Sequence, residues 1–95
     1  MRFHVTVLAF DTIMDEETIQ ALRQVFGQKV AELQQSGSLV EGGVFLEKRG
    51  GFFVLDVDSA THLFKLLAPL NDYGRIEVHP LISFETLGAF FQGTL

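Results

Sequence analysis

A chain of 95 residues with an apolar content of 47% is sufficient for one small domain. Its net charge is −5 and its seven Lys and Arg residues are scattered, which argues against the concentrated positive face that nucleic-acid binding requires. The absence of cysteine excludes disulfides and thiolate chemistry, and no apolar run approaches the roughly 20 residues that span a bilayer. We therefore expect a cytoplasmic protein without a nucleic-acid or membrane partner.

The first two predicted elements are a strand and a long helix. Residues Arg2 to Phe10 are rich in β-branched and aromatic side chains, which is typical of a strand. In the stretch "DEETIQALRQVFGQKVAELQQSG" the apolar residues recur at helical spacing, and Gly37 is suited to end the helix. These apolar residues are Ile19, Leu22, Phe26, Val30 and Leu33.

A hairpin is predicted for "SLVEGGVFLEKRGGFFVLDVD". We place its turn at Lys48–Gly51, because paired glycines adopt positive φ at little cost. Gly42 and Gly43, within the first arm, indicate a bulge or a close approach of two backbones.

A second helix and a last strand complete the pattern. Ser59 is a good N-cap residue, and Pro69 marks the end of the helix or a kink. The stretch "IEVHPLISF" alternates like a strand, and its Pro80 indicates an edge position because proline lacks a ladder donor. The tail "ETLGAFFQGTL" is apolar without a clear period, and we assign residues 85–95 to a C-terminal arm.

The element order β-α-β-β-α-β predicts a ferredoxin-like α+β fold for the single domain of residues 1–95. This fold has a four-stranded antiparallel sheet with two helices on one face. The helices require the more apolar sheet face, and we assign to it Phe3, Val5, Val7, Phe53, Leu55, Val57, Ile76, Val78 and Ile82.

The opposite sheet face is too apolar for open water and too polar for a plain core. It carries His4, Thr6, Leu8, Phe10, Phe52, Val54, Asp56, Glu77, His79 and Leu81. Two such faces packed together would bury the apolar side chains and leave a cavity with a few polar groups, as small-molecule sites have. We therefore expect dimerisation through the sheets.

Four polar side chains of this face, His79, His4, Glu77 and Asp56, form the candidate catalytic group. His79 and Glu77 lie two residues apart on one strand and share a face, and His4 is on the neighbouring strand. A histidine beside a carboxylate is suited to general base catalysis, with Glu77 or Asp56 as the orienting group. The alternative is that both histidines are hydrogen-bonded within a subunit interface. A metal bound by these groups is chemically possible, but their spacing is not diagnostic and we assign none.

Phe10, Phe52 and Tyr73 are the candidate substrate-binding residues. Tyr73 lies in a predicted turn, where its hydroxyl can donate into the mouth of a cavity or simply face solvent. The two phenylalanines fit an aromatic substrate box or, alternatively, the core of a subunit interface.

The second half of the chain resembles the muconolactone isomerase family. The resemblance is carried by "FVLDVDSATHLFKLLAPL" and "GRIEVHPLISFE", and more loosely by "FHVTV", the long helix and "ELQQSG". In that family a strand ending in Asp-Val-Glu/Asp-Ser leads into a helix with Leu-Leu, and a last strand reads Ile-Glu-Val-x-Pro-Leu. Together these stretches cover nearly the whole chain.

The resemblance implies a dimeric α+β barrel within a homodimer or larger homo-oligomer. It also implies an isomerase that moves a proton within an unsaturated lactone without a metal or organic cofactor. Members tend to carry a tryptophan–arginine pair after the first helix, where this chain has "SLVEGG" (residues 38–43). No catalytic residue is therefore carried over from the family.

The leading hypothesis is a muconolactone isomerase-like enzyme that acts on a small lactone or aromatic-derived acid. In this hypothesis His79 or His4 moves the proton. One alternative is a non-catalytic oligomeric module that binds a small ligand or acts as a scaffold. Another is a cofactor-independent monooxygenase of the related barrel group, which oxygen uptake would distinguish.

Overall fold

The computed structural model describes residues 1–94 and has four strands and three α-helices. Leu95, the last residue of the predicted arm, lies outside the described residues. In chain order the elements are β1 (Arg2–Ala9), α1 (Glu16–Ser36), β2 (Leu39–Val44), β3 (Gly50–Asp56), α2 (Ala60–Leu67), a 3-10 turn (Ala68–Leu70), β4 (Gly74–Leu81) and α3 (Phe84–Phe91).

The four strands form one antiparallel sheet in the order β2-β3-β1-β4. The predicted ferredoxin-like α+β fold is confirmed, with β4 at an edge beside β1 as Pro80 indicated. The central strand β1 pairs with both β3 and β4, so it aligns side chains from three strands on each sheet face.

The hydrophobic core lies between the sheet and helices α1 and α2. The alternation of β1 and β3 directs one side chain in two towards the helices, and those side chains are buried. The buried core cluster consists of Phe3, Val5, Val7, Leu33, Phe53, Leu55, Val57, Leu63, Leu67 and Leu70.

Strand β4 is only partly covered by the helices. Ile76 packs against the core, but Val78 is 40% exposed and Ile82 is 71% exposed. The assignment of Ile82 to the helix-covered face was wrong, because β4 ends at Leu81.

Helix α1 buries a lysine that the hydrophobic pattern does not include. Lys29 is 7% exposed, and its Nζ lies 3.0 Å from Oε2 of the exposed Glu32. The aliphatic stem of a lysine can pack in an apolar layer while its ammonium group reaches a partner at the rim. Gly27 of the same helix has open space around it, so no neighbouring group explains its small size.

The hairpin turn differs from the prediction. Gly50 and Gly51 belong to β3, and residues 45–49 connect it to β2. Among residues 1–94 only Gly37 and Gly93 have positive φ, so Gly50 and Gly51 are not required for a left-handed turn. A Cβ at Gly50 would collide with the Val7 carbonyl oxygen, and one at Gly51 with the Gly43 carbonyl oxygen. These glycines therefore allow neighbouring backbones to approach closely.

The β2–β3 ladder contains an irregularity between Leu39 and Glu41. The bulge thus lies at Val40 and not at the Gly42–Gly43 pair. Gly42 instead permits a close approach, because a Cβ there would lie 3.0 Å from the Phe52 carbonyl oxygen.

The helix ends follow local sequence signals. Asp15 caps α1, and the left-handed Gly37 (φ 78°) ends it as predicted. Ser59 caps α2 by accepting a hydrogen bond from the His62 amide. Pro69 lies in the 3-10 turn that follows α2, so the predicted end is also confirmed.

The Asp15 cap predicts a component of acid sensitivity. Hydrogen bonds from the Thr18 hydroxyl and amide lower the pKa of the Asp15 carboxyl. A carboxyl with a lowered folded-state pKa stabilises the fold above its unfolded pKa, and this contribution is lost as pH falls through the lowered value. We expect Asp15→Asn, which retains a capping oxygen without titrating, to show a smaller fall in thermal midpoint between about pH 6 and about pH 2.

Asp72→Asn is the matched control, because the Asp72 carboxylate makes no hydrogen bond within residues 1–94. Circular dichroism melting curves of the three proteins measure the effect. An acid-induced fall in Asp15→Asn as large as in the wild type would contradict the expected contribution.

The predicted C-terminal arm contains a helix. Ser83 caps α3 by accepting a hydrogen bond from the Thr86 amide at 3.0 Å, which is a signal that the apolar composition of the tail obscured. None of the α3 residues is buried. The radius of gyration is 15.5 Å, compared with about 12 Å for a compact chain of this length, because α3 extends from the domain.

The described residues contain no helix with both the length and the apolar character needed to cross a membrane.

Candidate functional site

The open face of the sheet places the predicted catalytic side chains in neighbouring rows. In one row His4 lies between Val54 of β3 and His79 of β4. In the next row Thr6 lies between Phe52 and Glu77. Side chains directly opposite in an antiparallel pair lie about 5 Å apart at Cβ, and diagonal ones about 7–8 Å. The fold therefore brings together His4, His79 and Glu77, which we call the histidine patch.

The two imidazoles of the histidine patch face different surroundings. Their ring centroids are 6.3 Å apart, with the ring planes inclined at 44°. His4 is half-buried and stacks on Phe52, with centroids 5.5 Å apart and planes at 11°, whereas His79 is exposed. This stacking restricts the His4 ring, while the His79 ring at the sheet edge is accessible.

The polar atoms of the histidine patch remain available for a ligand or a second subunit. Within residues 1–94, neither imidazole makes a hydrogen bond and Glu77 makes no ion pair. Glu77 is exposed, two residues before His79 on β4 and diagonal to His4. A carboxylate at this position can accept a hydrogen bond from an imidazole N–H and so orient the ring.

Asp56 has a different partner from the one considered in the sequence. Its carboxylate accepts hydrogen bonds from the Arg2 guanidinium at 2.7 and 3.3 Å, in the cross-strand pair Arg2–Asp56. The hydrogen bond from Arg2 lowers the pKa of the Asp56 carboxyl, and the attraction of the Arg2 charge adds to this effect. The structure thus pairs Asp56 with an arginine and not with a histidine.

The predicted substrate-binding residues are divided between two places. Phe52 lies beside the histidine patch, where its ring stacks on His4 and its ring centroid is 6.5 Å from that of Phe45. Phe10 follows β1 at the other end of the sheet, where its amide donates to the Tyr73 carbonyl oxygen at 3.0 Å. Phe10 comes four positions after Thr6, the β1 residue opposite Phe52, which corresponds to about 13 Å along a strand. Phe10 and Phe52 therefore do not form one aromatic box.

A second set of polar side chains surrounds this other end of the sheet. Two cavities of about 520 and 370 Å³ lie there, and Lys48 and Arg49 line both. Arg23 also lines the larger cavity, and Arg75 the smaller one. Four of the seven Lys and Arg residues are thus gathered at one end of an acidic protein.

Sequence reasoning missed this cation cluster because its members lie far apart in the chain. From the sequence, Arg49 was placed only within the predicted hairpin turn. In the structure its guanidinium donates to the carbonyl oxygens of Ile13 at 2.8 Å and Phe10 at 3.1 Å. The available signal was topological: β1 ends, and β3 and β4 begin, at the same end of the sheet.

A metal centre has no support among the described residues. Within residues 1–94, no three His, Asp or Glu side chains converge in a way that would hold a metal ion.

Comparisons with known proteins agree with this architecture. A crystal structure of muconolactone isomerase at 3.3 Å resolution superposes with a TM-score of 0.74 at 27% sequence identity. The match covers 87% of this chain and 90% of that one. No curated protein sequence matches this chain. The family model of muconolactone delta-isomerase matches residues 1–86. On this evidence, together with the shared fold, the chain belongs to the muconolactone delta-isomerase family.

Proposed function

We propose that the protein is an isomerase that moves a proton within a small unsaturated lactone, with the histidine patch as its catalytic group. The observation that carries this proposal is the pair of imidazoles, 6.3 Å apart and diagonal to the Glu77 carboxylate, on an open sheet face. Family membership supplies the substrate class, a muconolactone-type acid.

The reaction requires a base that removes a proton and an acid that returns a proton at another carbon. In the proposal a neutral imidazole removes a proton from the saturated ring carbon next to the conjugated double bond. The electron pair of the broken C–H bond forms a double bond to the neighbouring ring carbon. The original double bond then moves towards the carbonyl group, and negative charge develops on the lactone carbonyl oxygen. The imidazolium then returns a proton to the carbon beside the carbonyl, so that no oxidant or cofactor is consumed. His79 is the accessible base, and Glu77 stabilises the imidazolium.

A second copy of the chain is proposed to cover the histidine patch. An open sheet face leaves the substrate in water, where charge on the carbonyl oxygen is poorly stabilised. The same face carries the half-buried apolar side chains of Leu8, Phe52 and Val54, and apolar exposure of this kind favours self-association. We infer that two sheets pack face to face, which makes the protein a homodimer or a larger homo-oligomer.

The test of the proposed function is an NMR time course of muconolactone in D₂O. Isomerisation accompanied by deuterium uptake into the lactone ring is the expected result. A shift of lactone resonances without isomerisation or exchange would support the alternative of a non-catalytic binding module. Oxygen consumption with an aromatic-derived substrate would support the monooxygenase alternative instead.

Deletion of residues 84–95 is expected to shift the protein towards a monomer. This deletion removes α3, whose Phe84, Phe90 and Phe91 are 92%, 63% and 75% exposed and are suited to burial against another copy. Sedimentation velocity measures the change, and deletion of residues 93–95 alone is the control because it retains all three phenylalanines. An unchanged assembly after removal of 84–95 would exclude α3 from the contact, and a monomeric wild type would reject self-association.

A further inference from the structure

We propose that the larger cavity at the cationic end of the sheet binds a small apolar monocarboxylate, at a site separate from the histidine patch. The cavity of about 520 Å³ lies between α1, the end of β1 and the β2–β3 loop, and its volume suits a small organic ligand. This inference does not rest on the proposed isomerase activity.

The floor of this cavity is apolar. Helix α1 and the loop contribute half-buried side chains that would contact a ring or a short hydrocarbon segment of a ligand. The main apolar lining residues are Val7, Ile19, Leu22, Phe26 and Phe45. A wholly polar anion such as inorganic phosphate would leave these side chains without a partner.

The rim of the same cavity is cationic. Both ion pairs among residues 1–94 lie elsewhere, at Arg2–Asp56 and Lys29–Glu32, so the cations of this rim have no carboxylate partner there. Lys48 Nζ lies 5.2 Å from the Phe45 ring centroid, directly above an apolar wall of the cavity. A carboxylate attached to an apolar group matches this arrangement, with its charge towards Arg23 and Lys48.

Arg49 has a fixed position between the two cavities. Its two hydrogen bonds to the Phe10 and Ile13 carbonyl oxygens leave three of its five N–H donors available. A guanidinium held in this way loses little conformational freedom when it binds a carboxylate. Asp11 lines the smaller cavity on the other side of Arg49, and its negative charge disfavours a second acidic group that reaches towards that side, which favours a monocarboxylate.

The site differs from the histidine patch in chemistry and in place. None of its lining residues is a histidine or a carboxylate, so the larger cavity has the groups for binding a carboxylate but no ordinary proton acceptor. Val7 and Ala9 line it from the helix-covered face of β1, whereas His4 belongs to the open face.

The experiment is an NMR titration of the ¹⁵N-labelled full chain with phenylacetate, and with phenylacetamide as the uncharged control. We expect phenylacetate to shift the amide signals of Ala9, Ile19, Leu22 and Gly50, and to bind more tightly than the amide. The double variant Arg23→Gln/Lys48→Gln should weaken phenylacetate binding about five-fold or more, and added salt should also weaken it.

Lys65→Gln is the matched control, since this exposed cation lies on α2 outside both cavities. It should change the affinity by less than about two-fold. Arg49 is left intact because its side chain holds the β1–α1 loop. Equal affinity for the amide, shifts confined to the histidine patch, or no shift at millimolar phenylacetate would each overturn the proposal. Phenylacetate should still bind to His79→Ala, so that the binding result is independent of whether the proposed isomerase activity is found.

Discussion

Replacement of His79 by alanine is expected to reduce the isomerisation of muconolactone by at least about 100-fold, the usual contribution of a positioned general base. His79 lies at the sheet edge with its imidazole exposed, so its loss removes the proposed base without opening the core. The rate is measured by NMR in D₂O, together with deuterium uptake into the ring. Thermal melting of the variant establishes that the fold is retained.

His62→Ala is the control for this variant, because His62 lies on α2, on the other side of the sheet. It should retain the wild-type rate to within about two-fold. His4→Ala tests the second imidazole: a loss as large as that of His79→Ala would indicate that one histidine removes the proton and the other returns it. Wild-type turnover in His79→Ala would reject His79 as the base, and deuterium exchange lost only in His4→Ala would assign that role to His4.

Replacement of Leu55 by alanine is expected to lower the free energy of unfolding by about 3 kcal/mol. Leu55 is 0% exposed and lies on β3 within the core cluster, where the removed atoms leave a cavity that the sheet and helices cannot close. Urea denaturation followed by circular dichroism measures the change. In a domain of this size the loss is a large fraction of the total stability.

Leu46→Ala is the matched control, since Leu46 in the β2–β3 loop is 101% exposed. The same chemical change should alter its free energy of unfolding by no more than about 0.5 kcal/mol. Similar losses in the two variants would contradict the burial of Leu55 and the order of the strands that places it in the core.

Local signals in the sequence were sufficient for most of the fold. The period-2 alternation of β1 and β3 predicted which side chains are buried, because successive side chains of a strand point to opposite faces. Ser59 and Gly37 predicted helix ends, since capping depends on residues within one turn of the cap. The same alternation placed His4, His79 and Glu77 on one face.

Contacts between distant segments were harder to predict. The hairpin glycines were assigned to a turn because of their backbone freedom. The structure shows a different reason for Gly50: any side chain there would collide with the carbonyl oxygen of Val7, 43 positions earlier in the chain. The partner of Asp56 was missed for the same reason, because Arg2 joins it only through the β1–β3 register. The tail was assigned to an arm without a period, although the cap at Ser83 begins a helix there.

The sequence by itself determined the ferredoxin-like fold, the edge position of β4 and the shared face of the histidine patch. These features depend on alternation, caps and element order, which are local properties of the chain. Only the tertiary structure decided that Arg23, Lys48, Arg49 and Arg75 surround one end of the sheet. Charges that are scattered along a sequence become a cluster when antiparallel strands bring distant segments to the same end, and no local pattern encodes that meeting.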